Sequence, residues 1–174
     1  MMAYHEAAHA VVARRQGLAC AEIHMVSSSG SIGALTASAS YASGEAVQAK
    51  IAGYEIDGTV ALAGPVANVR FSGRPSSFSD GAESDLQFAQ SAAGSIALLK
   101  AGQSLPGAVH GIDEINLPPD VLQEANAILT DILRKSETLV DEHWAEIDRV
   151  VKVLMHRDLM TASELDKLIA ETSS

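Results

Sequence analysis

The stretch His5-Glu6-Ala7-Ala8-His9 carries an H-E-x-x-H pattern between the flanks Met2-Ala3-Tyr4 and Ala10-Val11-Val12-Ala13-Arg14-Arg15-Gln16. The flanks are good helix formers with no Gly or Pro before Gly17, so the spacing predicts a helix over about residues 2–16 that Gly17 closes. Residues four apart share a helix face, so His5 and His9 can aim their imidazoles at a common point, with Glu6 beside them. That is the pattern a metal with a neighbouring base requires. Zn²⁺ accepts imidazole nitrogen at about 2.0–2.1 Å, and a catalytic site supplies three protein ligands and leaves the fourth position to water. With 6 His in 174 residues and 12 Glu, the expected number of chance matches to this pattern is about 0.01, so coincidence is disfavoured.

Working outward, an apolar fraction of 47% with only 4% aromatic residues favours close-packed helices over a β-sandwich, and the length suits one domain over 1–174. The fold class expected is mainly α (α+β). The net charge of −10, with no concentration of Lys or Arg, makes nucleic acid and anionic membranes poor partners. Apolar runs such as Val60 to Ala63 and Ile96 to Leu99 are far shorter than the ~20 residues of a membrane span. No signal peptide is expected, and the single cysteine, Cys20, rules out an internal disulfide, so the expected location is cytoplasmic. Cys20 itself reads as a small buried hydrophobe.

After Gly17, Ala21 to Val26 and Ile32 to Ser40 read as two short strands, giving a small two- or three-stranded sheet over about 21–40 beside the first helix. The second strand is poor in large side chains, which suits a sheet edge, where an extended peptide could pair with its backbone; Ile32, Gly33, Ala34, Leu35 and Thr36 are the candidate substrate-binding residues. Helical periodicity follows over about 44–71, interrupted by Gly53, Gly58, Gly64 and Pro65, which predicts two helices or one with a kink. A helix over about 83–101, with Ser79 or Ser84 as its N-cap, and C-terminal helices over about 118–171, arranged as a hairpin, complete the chain. Thr161-Ala162-Ser163-Glu164 has the form of a capping box for a short last helix, Ser163 to Glu171. The chain contains no G-x-x-x-x-G-K-[ST] loop, so no bound nucleotide is expected.

A third metal ligand must come from downstream. His24, His110, His143 and His156, and the acids Asp80, Glu83 and Asp85 near the start of a helix, are all candidates, and their spacing selects none of them. Acids in a first helical turn also have a simpler reason to be there, since they answer the helix dipole.

Ala3-Tyr4-His5-Glu6-Ala7-Ala8-His9-Ala10-Val11-Val12 resembles the zinc helix of the FtsH-type peptidases. Ala61-Leu62-Ala63-Gly64-Pro65-Val66-Ala67 is similar to that family's Gly-containing helix, Gly81-Ala82-Glu83-Ser84-Asp85-Leu86 to its segment bearing an aspartate ligand, and the region from Val121 to Leu168 to its closing helices. The resemblance implies Zn²⁺ held by His5, His9 and Asp85, with Glu6 as the catalytic base, an unfolded polypeptide as substrate, and a homo-oligomer, a hexamer in the family. The chain departs from the family in three places. Ala8 replaces a Gly, Asn68-Val69 replaces an acidic pair, so carboxylate support for the ligands is not expected from there, and the family's membrane anchor and AAA ATPase module have no counterpart in these residues. That pattern fits either a stand-alone relative or a piece of a longer chain.

The function expected from these readings is zinc-dependent hydrolysis of peptide bonds by metal-activated water. The rival is a catalytically inactive relative that keeps the fold as an interaction module. Glu6 argues against the rival, because a structural metal site has no use for a base.

Overall fold

A computed structural model describes residues 1–25, 33–39, 46–105 and 117–170. Helix α1 (Met2–Arg15) ends where Gly17 adopts φ 80°, a left-handed conformation open to glycine at little cost, and Leu18 N–H donates back to Ala13 O at 2.9 Å. From His5 to Ala13 every residue of α1 is buried, because other elements cover it on all sides. Its charged end is held by Arg15, whose guanidinium grips both oxygens of the buried Glu146 at 2.9 and 2.7 Å.

Strands β1 (Cys20–His24) and β2 (Gly33–Thr36) pair antiparallel, with Ile23 opposite Ala34 and a bulge between Cys20 and Glu22. A third strand, β3 (Leu159–Thr161), joins the other side of β1, so the order is β2-β1-β3 and β2 lies at an edge of this described sheet. Both early strands are shorter than the sequence reading proposed, and Val26 and Ile32 lie outside the described residues.

Helix α2 (Val47–Ser72) runs unbroken through Gly53, Gly58, Gly64 and Pro65, so the interrupted stretch is one helix rather than two. Its low intrinsic propensity is outweighed by burial, since it lies between α1 on one side and α3 (Glu83–Lys100) and α4 (Pro119–Glu142) on the other. It feeds both hydrophobic clusters. Val60, Ala63, Val66 and Ala67 join Val11, Val12 and Ile23 in one, and Tyr54, Ala61 and Leu62 join Ala92, Ala93, Ile96 and Ile132 in the other.

Between α2 and α3 a short 3₁₀ turn (Pro75–Ser79) carries the chain back toward α1. The expected caps are not used: Ser79 Oγ donates to Ser76 O within the turn, Ser84 lies inside α3, and Ala82 occupies the N-cap position without a side-chain bond. Glu83 and Asp85 in the first turn answer the positive helix end instead.

The C-terminal helices do not form the expected hairpin. Helix α5 (Trp144–Leu154) follows α4 after His143 alone, and no Gly or Pro reverses the chain, so α4 packs on α2 and α3 while α5 packs on α1. Helix α6 (Ala162–Ala170) begins one residue earlier than expected and keeps the box: Glu164 accepts both the backbone N–H and the hydroxyl of Thr161, at 3.0 and 2.9 Å. The molecule is thus mainly helical with one small antiparallel sheet, and among the described residues no helix is long and apolar enough to cross a membrane.

Candidate metal centre

The two histidines of α1 project from one face, one turn apart, with ring centroids 4.7 Å apart and planes at 80°. Asp85, in the first turn of α3, reaches the same point: its Oδ2 lies 2.9 Å from His5 Nε2 and 3.6 Å from His9 Nε2. A tetrahedral zinc with bonds of about 2.0–2.1 Å needs donors about 3.3 Å apart, and the two His–Asp separations bracket that value. Helix α2 makes room for the cluster. A Cβ on Gly64 would stand 2.5 Å from His9 Nε2 and 2.7 Å from His5 Nε2, so only glycine lets this helix approach the donor atoms so closely. Two imidazoles and a carboxylate around a space kept free of side chains form a donor set of the kind zinc takes.

The charges at the centre favour a cation. Burial alone would raise the pKa of Asp85, but hydrogen bonds from His5 and His9 overcome that and hold its carboxyl well below the usual carboxylate range. Burial likewise works against protonating His9, yet the Asp85 carboxylate, with Glu6 adding to it, raises its pKa above the ordinary value. The pocket therefore favours a positive charge beside the Asp85 carboxylate.

The imidazole of His9 is oriented from behind. Its Nδ1 lies 2.8 Å from Val60 O, which can only accept, so Nδ1 carries a proton and, in the neutral ring, Nε2 offers its lone pair to the centre. His5 is supported from α2 by the buried Asn68, whose Nδ2 lies 3.1 Å from His5 Nδ1 and donates to Asp80 O at 3.0 Å. Support at the ligand thus comes from an amide, at the place where no carboxylate was expected to supply it.

Glu6 is buried, and its side chain borders the same cavity as His5, His9 and Asp85. That cavity, about 440 Å³, extends to the sheet edge, where Gly33, Ala34 and Thr36 line it. Of the other proposed substrate-binding residues, Leu35 pairs with Glu22 across β1, and Ile32 lies outside the described residues. A second cavity, about 430 Å³, is lined by His5, Glu6, Asn68 and Asp80 together with Met1 and Met2.

The alternative ligands are placed elsewhere. His24 pairs with Glu22 on β1, His143 with Glu146, and His156 is exposed after α5; Glu83 is exposed, Asp80 contributes a backbone carbonyl, and His110 lies outside the described residues. Among the described residues, His5, His9 and Asp85 are the group of three metal-capable side chains within 4.8 Å of one another. Cys20 is 1% exposed, and burial pushes its thiol up to about 11, in keeping with a packing role.

Sequence reasoning missed Asp57. This buried acid of α2 lines the cavity and accepts the Ser38 hydroxyl at 2.7 Å and the Ala39 N–H at 2.6 Å, tying the segment after β2 to α2. Its signal in the sequence was an acid standing directly before the stretch Gly58 to Val69, which carries no charge. The chain matches no model of a known protein family and no curated protein, so what it does is read from its own residues.

Proposed function

We propose that the chain is a zinc-dependent endopeptidase of FtsH-like type that hydrolyses peptide bonds of unfolded polypeptide. The observation that carries this reading is the convergence of His5, His9 and Asp85 at the mouth of a cavity that also holds Glu6 and the edge strand β2. When bound, zinc would supply a Lewis acid and a water acidic enough to lose its proton near neutral pH.

The chain's own residues do the rest. His5, His9 and Asp85 would hold the ion, and Val60 O, accepting from Nδ1–H, leaves Nε2 of a neutral His9 free to ligate. Glu6 takes the proton of the attacking water on its carboxylate as the C–O bond forms, and returns it to the leaving amine as the C–N bond breaks. Strand β2 holds an extended substrate through backbone hydrogen bonds, and its small residues Gly33 and Ala34 leave the cavity open beside it. A stably folded substrate would first have to expose its backbone, at a cost of about 5–15 kcal/mol, and this sequence has no P-loop to draw that from a nucleotide.

Metal analysis of the purified protein, followed by casein degradation with and without chelator, tests the proposal. Zinc near one equivalent and chelator-sensitive cleavage are expected, with a tightly folded domain left intact. Asp85→Ala should strip the zinc and Glu83→Ala should not. Zinc bound by wild type without cleavage, unchanged by Glu6→Gln, would favour an interaction module, and retention of zinc by Asp85→Ala would overturn the ligand assignment.

A further inference from the structure

We propose that the second cavity receives the side chain of the residue whose amine leaves, and that Met1 and Met2 make it select a large apolar one. The inference rests on the endopeptidase reading above and assigns a substrate preference to that site.

The two cavities share residues of the reaction centre. The larger is lined by His9, Asp85 and the β2 residues Gly33, Ala34 and Thr36; the second is lined by none of these and has His5, Glu6 and Gly81 in common with it. A peptide held on β2 occupies the first cavity, and the second stays open beside Glu6. Glu6 is the group that returns a proton to the leaving nitrogen, so that nitrogen has to stand against its carboxylate. Only Cα, at an N–Cα bond of about 1.46 Å, separates the nitrogen from the side chain of its own residue, so this side chain enters a space that also borders Glu6. Of the two such spaces, one is already taken by the strand-bound part of the substrate.

The residues of the wall decide what fits. Met1 and Met2 are 43% and 53% exposed, two large apolar side chains left in solvent beside a cavity of about 430 Å³, which lies within the ~300–1,000 Å³ of small-ligand sites. Methionine is unbranched and polarisable, so the pair can shape itself to Leu, Met or Phe alike. A substrate side chain of that kind removes their apolar surface from water along with its own. The charged side chains among the described residues of the wall that carry no net positive charge are the carboxylates of Glu6 and Asp80, and no Lys or Arg stands with them. An acidic substrate side chain is repelled there, while the amine freed by cleavage, once protonated, is attracted. The pocket thus matches an apolar side chain next to an amino group, which is what the leaving half of the substrate presents at its cut end.

The experiment has two readouts. In the first, zinc-loaded wild type and Met2→Ala cleave peptides of one sequence that differ only in the residue after the scissile bond, Leu, Ala or Glu, with the cut position checked by mass spectrometry. Wild type should prefer Leu to Ala about tenfold in kcat/KM and Leu to Glu by more, and Met2→Ala should reduce the Leu-to-Ala ratio to about threefold with zinc content unchanged. Met2 is exposed, so Ala in its place leaves the core intact. Equal rates for Leu and Ala, or a ratio that Met2→Ala leaves unchanged, overturn the proposal, as does a Met2-dependent preference at the residue before the bond. In the second, leucinamide, an apolar side chain beside a free amine, is titrated to millimolar concentration into metal-free protein carrying ¹³C-methyl methionine. The methyl signals of Met1 and Met2 should shift, while that of Met155, 70% exposed at the end of α5, should not, and the α-amide of glutamate should shift none of them. Unmoved Met1 and Met2 signals overturn the pocket whatever the kinetics show. A wild type that binds leucinamide at Met2 yet holds no zinc and cuts no peptide overturns the endopeptidase reading, while the pocket for an apolar amine stands.

Discussion

Gly58 and Gly64 lie in one helix, six residues apart, and each lets a neighbour come closer than a side chain would allow, yet the neighbours differ in kind. A Cβ on Gly58 would meet Ile132 Cδ1 at 3.1 Å and Cγ2 at 3.3 Å, the methyl ends of a side chain that can give way by a few tenths of an ångström. A Cβ on Gly64 would meet His9 Nε2 at 2.5 Å and His5 Nε2 at 2.7 Å, on rings tied by their other nitrogens to Val60 O and Asn68. Helix α2 therefore packs against the core at one turn and against the donor atoms less than two turns later. What a glycine tolerates is decided by the group opposite it, and here the same residue type faces an aliphatic side chain in one place and the candidate metal ligands in the other.

The largest effect is expected from Gly64→Ala. The added methyl falls on the donor nitrogens, so overpacking of about 3 kcal/mol would be felt at the metal site itself, and zinc affinity should drop roughly 100-fold or more, with casein cleavage lost alongside. Wild-type zinc content in that variant would break the comparison. Glu6→Gln comes next and separates holding the metal from using it: zinc should stay, while turnover falls roughly 10²-fold. Loss of zinc in Glu6→Gln would mean that the carboxylate serves the site and not the reaction.

Asp57 sharpens the contrast further, because it belongs to the same turn as Gly58 yet faces the cavity. Asn in its place keeps one acceptor for the Ser38 hydroxyl and the Ala39 N–H, where Asp57 now uses both oxygens, so the segment after β2 should loosen. Peptide KM should rise about threefold to tenfold with kcat and zinc content near wild type, since one hydrogen bond is worth about 0.5–1.5 kcal/mol. A change in kcat alone would remove β2 from substrate binding. The smallest effect belongs to Gly58→Ala. Its gain in helix propensity, about 1 kcal/mol, opposes a contact that Ile132 can relieve, so stability should change by no more than about 1 kcal/mol, with zinc binding untouched. Weakened zinc binding in Gly58→Ala would show that the two turns of α2 are mechanically coupled.

Much of the site was legible because its pattern is local. His5, Glu6 and His9 lie within one turn and a half of a single helix, and helix geometry alone brings the two imidazoles together. Asp85 was not legible from spacing; it stood among Asp80, Glu83 and four histidines until the resemblance singled it out, and the structure places it against both rings. Asn68 was read as a departure from a pattern, with no hint that its amide would touch His5. The hairpin was wrong because periodicity describes the face a helix buries and says nothing about which neighbour covers it.

Two properties followed from sequence by itself: the helical class, from small apolar residues at helical spacing, and the H-E-x-x-H face of α1. Both depend on forces acting within a few residues, namely propensity, side-chain period and the left-handed stop at Gly17. Tertiary structure alone decided that α2 would run unbroken through three glycines and a proline, that β3 would complete the sheet, and that α2 would aim Val60 O, Gly64 and Asn68 at the two histidines. The reason is that burial between α1, α3 and α4 outweighs the helix propensity of any one residue, and contacts between residues 51 to 80 positions apart depend on how the helices stack.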